Sequence, residues 1–193
     1  MAATAATAAT PNRPPALHLE PWSDEGGLAL LLRLNAPEMT EHLGGPETHE
    51  KVKDRHCRYL RLNDPAGPSD PADLDNLDNK GRMFRITVDG RTAGSIGFWE
   101  TTWQGEPVWE TGWGVLPEFQ GMGVAAAAAR LVAEEARAAG RHTHLHAFPA
   151  TGHGASNAVC RKAGFTLRGE ATIEYPKGNW HACNDWRLAL SGG

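Results

Sequence analysis

The sequence predicts a mixed α/β (α+β) domain in which a central mixed β-sheet of about six to seven strands is flanked by four helices. Three patterns predict it. An apolar strand at residues 108–115 leads through a glycine-punctuated turn into a strongly helical run. Asp89-Gly90, between two alternating segments, is a strong hairpin signal. A further strand follows the helix, and a right-handed crossover makes it parallel to the first.

The first half of the chain holds one strand and two of the helices. Residues 1–16 have neither a basic region nor an apolar core, so we expect a disordered tail before a domain at 17–193. A short strand at 17–20 precedes a helix that Ser23 or Asp24 can cap and that ends before Pro37. A polar, glycine-rich loop at 37–48 follows. Pro46 can begin the second helix, whose face carries Val52, His56, Tyr59 and Leu60.

Residues 63–81 form a proline- and aspartate-rich segment without a packing pattern. It is too long for an ordinary connection, so it is either a flexible, disordered insertion or a lid. Its five aspartates could steer a cation, but a solvated loop is the favoured interpretation.

The second half begins with an antiparallel meander at 83–88, 91–100 and 108–115, with its turns at Asp89-Gly90 and near Gln104-Gly105. The helix that starts at Val124 places Arg130, Glu134, Arg137 and Arg141 on one solvated stripe and turns Val124, Leu131 and Val132 toward the sheet. Strands at 142–148, 165–171 and 183–190 and a helix at 156–163 complete the fold.

The turn before the long helix is a candidate anion site. Gln120, Gly121, Met122 and Gly123 lead into the helix, whose first N–H groups lack intrahelical partners. Those donors and the positive end of the helix dipole suit a phosphate or pyrophosphate. Gly121 and Gly123 allow close approach because neither carries a Cβ.

Two motifs carry a family resemblance that covers residues 17–190. Gln120, Gly123 and Ala125, after V-L-P-E-F, match Q-x-x-G-x-A, which resembles the acetyl-CoA pyrophosphate signature of the GNAT superfamily of N-acetyltransferases. Glu110, Gly112 and Trp113 make the segment most similar to the RimJ/RimL-type branch. Ser156 and the following NAVCRKAGF resemble the helix and strand on the adenine side of coenzyme A.

The resemblance implies a catalytic and a cofactor set. Glu110 is the candidate general base, directly or through water, with a buried structural carboxylate as the alternative. Val115 offers its backbone N–H to the thioester oxyanion, and Leu116 contacts pantetheine. Cys160 and His153 stand where the family usually carries tyrosine and asparagine. Cys160 is therefore either a proton donor to the leaving sulfur or a packing residue. The implied cofactor contacts are Val115, Leu116, Gln120, Gly121, Met122, Gly123, Val124, Ala125, Ser156 and Cys160.

The resemblance also places the first two helices and their loop on the acceptor side. Glu38, Met39 and His42 are candidate acceptor contacts, although the loop could merely turn the chain. Trp99 and Trp113, in a cluster with Trp103 and Trp109, are candidates for an apolar acceptor pocket, and the others could be core. Tyr175 and Trp180 could close the cleft from the other side.

The implied function is transfer of an acetyl group from acetyl-CoA to a primary amine by direct attack. The amine is a small molecule, toward which we lean, or a protein N-terminus. One alternative is a catalytically impaired acyl-CoA-binding module. Another is a dinucleotide-binding domain, but the third glycine and the acidic residue about twenty positions on are missing. A homodimer is expected by resemblance alone.

Composition limits the remaining partners. The formal net charge of −4 argues against nucleic acid, and no apolar stretch is long enough for a membrane span. Three widely spaced cysteines, without a C-x-x-C pair, predict a reducing cytoplasm and no disulfide framework. His142, His144 and His146 alternate along one strand, but without an added carboxylate or cysteine at ligand spacing we expect no metal.

Overall fold

The computed structural model describes residues 16–63, 80–175 and 178–190. The expected N-terminal tail up to residue 15 lies outside the described residues, and so does most of the expected insertion, at residues 64–79. Asn63, assigned to that insertion, instead ends a helix, and its side chain pairs with both backbone groups of Met83 at 2.9 Å.

A seven-stranded sheet forms the centre of the fold, as the sequence predicts. Its strands are β1 (Leu17–Pro21), β2 (Gly81–Val88), β3 (Arg91–Trp103), β4 (Glu106–Val115), β5 (His144–Ala147), β6 (Thr166–Glu174) and β7 (Trp180–Ala189). They lie in the order β1-β2-β3-β4-β5-β7-β6. The pair β4–β5 is parallel and the other neighbouring pairs are antiparallel, so the sheet is mixed.

The described part of the chain contains five α-helices rather than the expected four. They are α1 (Asp24–Leu34), α2 (Pro37–Thr40), α3 (His49–Leu62), α4 (Val124–Ala139) and α5 (Gly154–Ala163). The additional helix, α2, lies in the segment that was expected to be a loop, and Pro37 occupies its first turn. None of these helices is long and apolar enough to cross a membrane.

The second predicted helix begins later than expected. Thr48, not Pro46, is the N-cap of α3, and its side chain accepts a hydrogen bond from the Lys51 N–H. The apolar face is as predicted, because Val52 and His56 are buried and Tyr59 and Leu60 pack against the core.

Both predicted tight turns are present, and both connect strands of the meander. Asp89 and Gly90 have φ values of 49° and 76°, and Gln104 and Gly105 have 52° and 85°. Two consecutive residues with positive φ match the type I′ geometry, which follows the right-handed twist of the flanking strands.

The sheet register sorts side chains onto two faces. The face that carries α1 is here called the α1 face; Leu34 lies against the Gly114 position there, and Glu110 has the same parity on β4. The opposite face, here called the α4 face, carries α5, which is bonded to Trp186, and α4, which packs against α5. Helix α4 buries Val124, Val132 and five alanines, whereas Leu131 is 39% exposed, so its predicted contact with the sheet is wrong.

Asn157 joins α5 to β7 and was not singled out from the sequence. Its buried Oδ1 accepts hydrogen bonds from Asn184 Nδ2 at 2.6 Å and from the Trp186 indole at 2.8 Å. Its Nδ2 donates to the carbonyls of Ala150 and His153, both at 2.9 Å. The side chain thus fixes the start of α5 relative to the sheet.

We predict that Asn157→Ala lowers the free energy of unfolding by about 2–4 kcal/mol, because two buried donors lose their acceptor. Urea denaturation measures the change. Lys162→Ala, an exposed change on the same helix, should stay within about 0.5 kcal/mol of the wild type. Equal losses for the two variants would contradict this role of Asn157.

Candidate active site

The two parallel strands at the centre of the sheet separate soon after they meet. Within the described part of the chain, strands β4 and β5 pair at two positions, Trp109↔Leu145 and Glu110↔His146. Strand β4 then continues through Val115. A gap therefore opens between the strands beyond Glu110. We call this gap the fork and its closed end, at Glu110 and His146, the vertex.

Backbone groups of β4 face the fork at alternate positions. The Leu116 N–H donates to the Ala93 carbonyl of β3 at 2.8 Å, and the β3–β4 register runs without a shift. In an antiparallel ladder the alternate residues Thr111, Trp113 and Val115 therefore direct their N–H groups away from β3. The Val115 carbonyl also points away from β3, where it accepts a hydrogen bond from the Gln120 side chain at 2.9 Å.

The predicted oxyanion donor, the Val115 N–H, thus points to the fork, whereas the Leu116 N–H is used within the sheet. The Leu116 side chain is 1% exposed, and this burial does not favour a contact with pantetheine. The contact stays a prediction. Sequence reasoning missed the matching donor of Trp113; the Thr111 N–H has the same direction but lies beside the Glu110↔His146 pair, where the His146 carbonyl can accept it. Strand alternation would have revealed the Trp113 donor once the direction of Val115 was fixed.

The glycine-punctuated turn lies at the mouth of the fork and is open. Gly121 and Gly123 have φ values of 74° and 80°, and a Cβ added to either would meet no atom within 4 Å. The Ala127 N–H bonds to the Gly123 carbonyl, so the N–H groups of residues 124–126 precede the first intrahelical bond of α4. Glycine adopts a positive φ without strain, which explains why glycines stand at these two positions. The exposed N–H donors fit the diphosphate of acetyl-CoA.

Two of the predicted acceptor contacts lie beside the fork mouth. Met39 Sδ is 3.5 Å from Gln120 Nε2, and the His42 ring stacks on His153 with centroids 4.1 Å apart. Burial, together with the nearby His42, lowers the pKa of His153, which favours the neutral ring that stacking requires. Glu38, the third candidate, is exposed on α2. The α2 segment therefore bridges the turn before α4 and the start of α5.

Glu110 is partly buried at the vertex, on the α1 face. Trp99 is its β3 partner, and the Trp99 indole lies 3.0 Å from the position a Gly112 Cβ would occupy, so glycine leaves room for the ring. Burial, then Asp185 and Glu110, raise the pKa of Cys183 to about 11, which places both carboxylates near that thiol. The register puts Trp113 on the opposite face from Trp99, which does not favour its predicted role beside Trp99 in one acceptor pocket.

The α5 candidates differ in exposure. Ser156 is partly buried, whereas Cys160 is completely buried, and burial raises the pKa of its thiol to about 12. This placement favours packing over proton donation. Its catalytic role remains a prediction.

The predicted histidine strand contains a polar network that sequence reasoning did not assemble. His146 Nδ1 lies 2.7 Å from Asp185 Oδ1, and the Trp103 indole donates to Asp185 Oδ2 at 3.0 Å. His142 instead lies near Glu100, at 3.6 Å, and contacts Trp109. Among the described residues no group of three metal-ligating side chains is found.

The fold agrees with comparisons to known proteins. The acetyltransferase (GNAT) domain profile matches residues 16–166, so the chain belongs to the GNAT acetyltransferase family. The protein is accordingly an acetyl-CoA-dependent acetyltransferase. A comparison with curated protein sequences finds no match.

Solved structures with the same fold act on different acceptors. One is the Salmonella typhimurium acetyltransferase that modifies the N-terminal serine of ribosomal protein L7/L12, with 17% identity, TM-score 0.66, and 91% and 95% of the two chains covered. Another is the aminoglycoside acetyltransferase AAC(6')-Ib with coenzyme A, with 16% identity, TM-score 0.67, and 90% and 95% covered. A third is yncA from Salmonella typhimurium, solved with its cofactor acetyl-CoA, with 18% identity, TM-score 0.65, and 92% and 96% covered.

We predict that Gly123→Ala weakens coenzyme A binding at least tenfold, about 1.4 kcal/mol, in isothermal titration calorimetry. The added Cβ enters the open space above the turn, and the positive φ is strained. Gly140→Ala is the matched control, because Gly140 ends the same helix with φ 67°. It should lose similar stability, about 1 kcal/mol, and keep the wild-type affinity. Equal affinity loss in both variants would show that strain alone acts.

Proposed function

We propose that this acetyltransferase moves the acetyl group to a primary amine by direct attack, at the vertex of the fork. The observation that supports it is the placement of Glu110. This carboxylate lies on the α1 face at the point where β4 and β5 separate, and the open turn before α4 lies at the other end of the gap. Val115 lies five positions beyond Glu110 on β4, a span of about 17 Å that an extended pantetheine arm can cross.

The chemistry requires a deprotonated amine and a polarised thioester. Primary amines are almost wholly protonated at neutral pH, so a nearby base assists attack. We assign Glu110 as the first proton acceptor, directly or through a water. Of the N–H groups that face the fork, that of Trp113 lies nearer the vertex than the predicted donor, the Val115 N–H, and we assign it to the thioester carbonyl. One such donor contributes about 3 kcal/mol in the transition state.

We infer that the acceptor is a small cationic amine, with a protein N-terminus as the alternative. The Trp99 indole and the Glu110 carboxylate on the same face provide an apolar wall and a negative charge, which suit a compact cation. Tyr175 is 42% exposed, but partial desolvation and then the nearby Tyr59 raise its pKa, so the β6–β7 connection approaches α3. Solved structures of the fold include enzymes for each acceptor type, and membership of the RimJ/RimL-type branch and a cytoplasmic location remain proposals.

We predict that Glu110→Gln lowers kcat about 100-fold at neutral pH, because the amide cannot take the proton. The dissociation constant for coenzyme A should not change. Steady-state assays of thiol release between about pH 6 and 9 measure the effect. Glu106→Gln, an exposed glutamate at the start of the same strand, is the control and should retain full activity. Unchanged turnover of Glu110→Gln throughout that range would remove Glu110 from the mechanism.

The acceptor itself is identified by incubating the protein and acetyl-CoA with a panel of small amines and N-terminal peptides, followed by mass spectrometry. Acetylated small amines would support the proposed acceptor class. Acetylation confined to peptide N-termini would contradict it. Binding of coenzyme A without any acetylated product would favour the alternative function, a catalytically impaired acyl-CoA-binding module.

A further inference from the structure

A buried polar network links three strands beside the vertex. Asp185 of β7 accepts the Trp103 indole N–H at 3.0 Å with one oxygen and faces His146 Nδ1 at 2.7 Å with the other. His146 and Asp185 are 5% and 7% exposed. Both oxygens of the carboxylate are therefore engaged, and the imidazole is held in one orientation.

The geometry selects one ring nitrogen of His146 as a proton acceptor. An ionised carboxylate can only accept hydrogen bonds, so Nδ1 carries the hydrogen and Nε2 keeps its lone pair. Nε2 makes no hydrogen bond within the part of the chain that the structure describes. His146 and Asp185 line an open polar cavity of about 210 Å³, together with Trp103, Gln104, Arg168, Gly169, Glu170, Ala171 and Arg187.

His56 shows by contrast what a structural histidine looks like in this fold. It too has a tryptophan and an aspartate as partners, but its Nδ1 accepts from the Trp22 indole at 3.2 Å and its Nε2 lies 2.9 Å from Asp24. Both ring nitrogens are occupied, so no lone pair remains for proton transfer. His146 has the same partner types but only one of its nitrogens is engaged.

His146 is also the neighbour of Glu110. The two residues are register partners in the β4–β5 pair at the vertex, so their side chains project from the same face of the sheet. Neighbouring strands lie about 4.8 Å apart, which brings the two side chains within reach of each other through one water.

We propose that His146, oriented by Asp185 and Trp103, receives the proton that Glu110 takes from the acceptor ammonium and releases it to solvent through the cavity. This inference rests on the proposed function. The free amine then forms the C–N bond to the thioester carbon. Collapse of the tetrahedral intermediate breaks the C–S bond, and a second proton passes from nitrogen to the thiolate. One ammonium and one acetyl-CoA thus give one amide, one coenzyme A thiol and one proton released through His146.

The proposal makes turnover sensitive to the charge of His146. A ring that carries hydrogen on both nitrogens cannot accept another proton, so turnover requires the neutral ring. The charged and titratable groups on the strands around it are Glu110 on β4, His144 on β5, Arg168 and Glu170 on β6, and Cys183, Asp185 and Arg187 on β7.

We test this with His146→Gln, Glu110→Gln and the double variant, in kcat–pH profiles from about pH 5.5 to 9.5 with an amine that the wild type acetylates. His146→Gln should lose about 10- to 100-fold in kcat near neutrality, with the deficit shrinking at high pH as more amine deprotonates unaided. Because the two residues act in series, the double variant should lie within about threefold of the worse single variant. Asp185→Asn should show the same altered profile in weaker form.

His144→Gln is the matched control, since His144 lies two residues away on the same strand and should leave the profile unchanged. His56→Gln should lower the melting temperature and leave the profile unchanged. A His146→Gln enzyme with the wild-type profile, or strictly multiplicative losses in the double variant, would overturn the relay while the acetyltransferase assignment stands. Failure of the wild type to acetylate any amine would instead overturn the proposed function, and the relay with it.

Discussion

The functional part of the fold depends on the separation of β4 and β5. These two parallel strands pair at two positions, Trp109↔Leu145 and Glu110↔His146. Backbone groups in the interior of a sheet are normally paired, and leaving them without partners costs free energy. Here the N–H groups of Trp113 and Val115 face the fork instead of a neighbouring strand. A ligand with its own amide and carbonyl groups, such as pantetheine, can complete the pairing that β5 does not provide. The gap is therefore a preformed binding surface.

The two faces of the sheet carry different groups of residues. On the α4 face, alanines let α4 pack closely on the strands, and Asn157 fixes α5 to β7. This packing positions the open turn at the mouth of the fork. On the α1 face, Glu110, His146 and Asp185 place titratable groups beside the vertex. The groups that we propose for coenzyme binding and those that we propose for proton transfer thus meet at one pair of residues, Glu110 and His146.

Local patterns account for much of what the sequence predicts correctly. Asp89-Gly90 encodes its turn through positive φ, and Gly121 and Gly123 encode the turn before α4 in the same way. Helix α2 was missed because four residues within a glycine-rich loop carry no periodicity. Leu131 was assigned to the wrong side because alanines, not the larger residues, form the buried stripe of α4. The partnership of His146 with Asp185 joins residues 39 positions apart and depends on the β5–β7 register, which no local pattern encodes.

Hydrogen exchange resolved to single amides tests the central claim most directly, because it observes the N–H groups that face the fork. On addition of coenzyme A, the amides of Trp113, Val115 and residues 123–126 should become protected, while that of Leu116, already bonded to Ala93, should change little. Saturating coenzyme A that leaves the fork amides exchanging at their original rates would contradict the account.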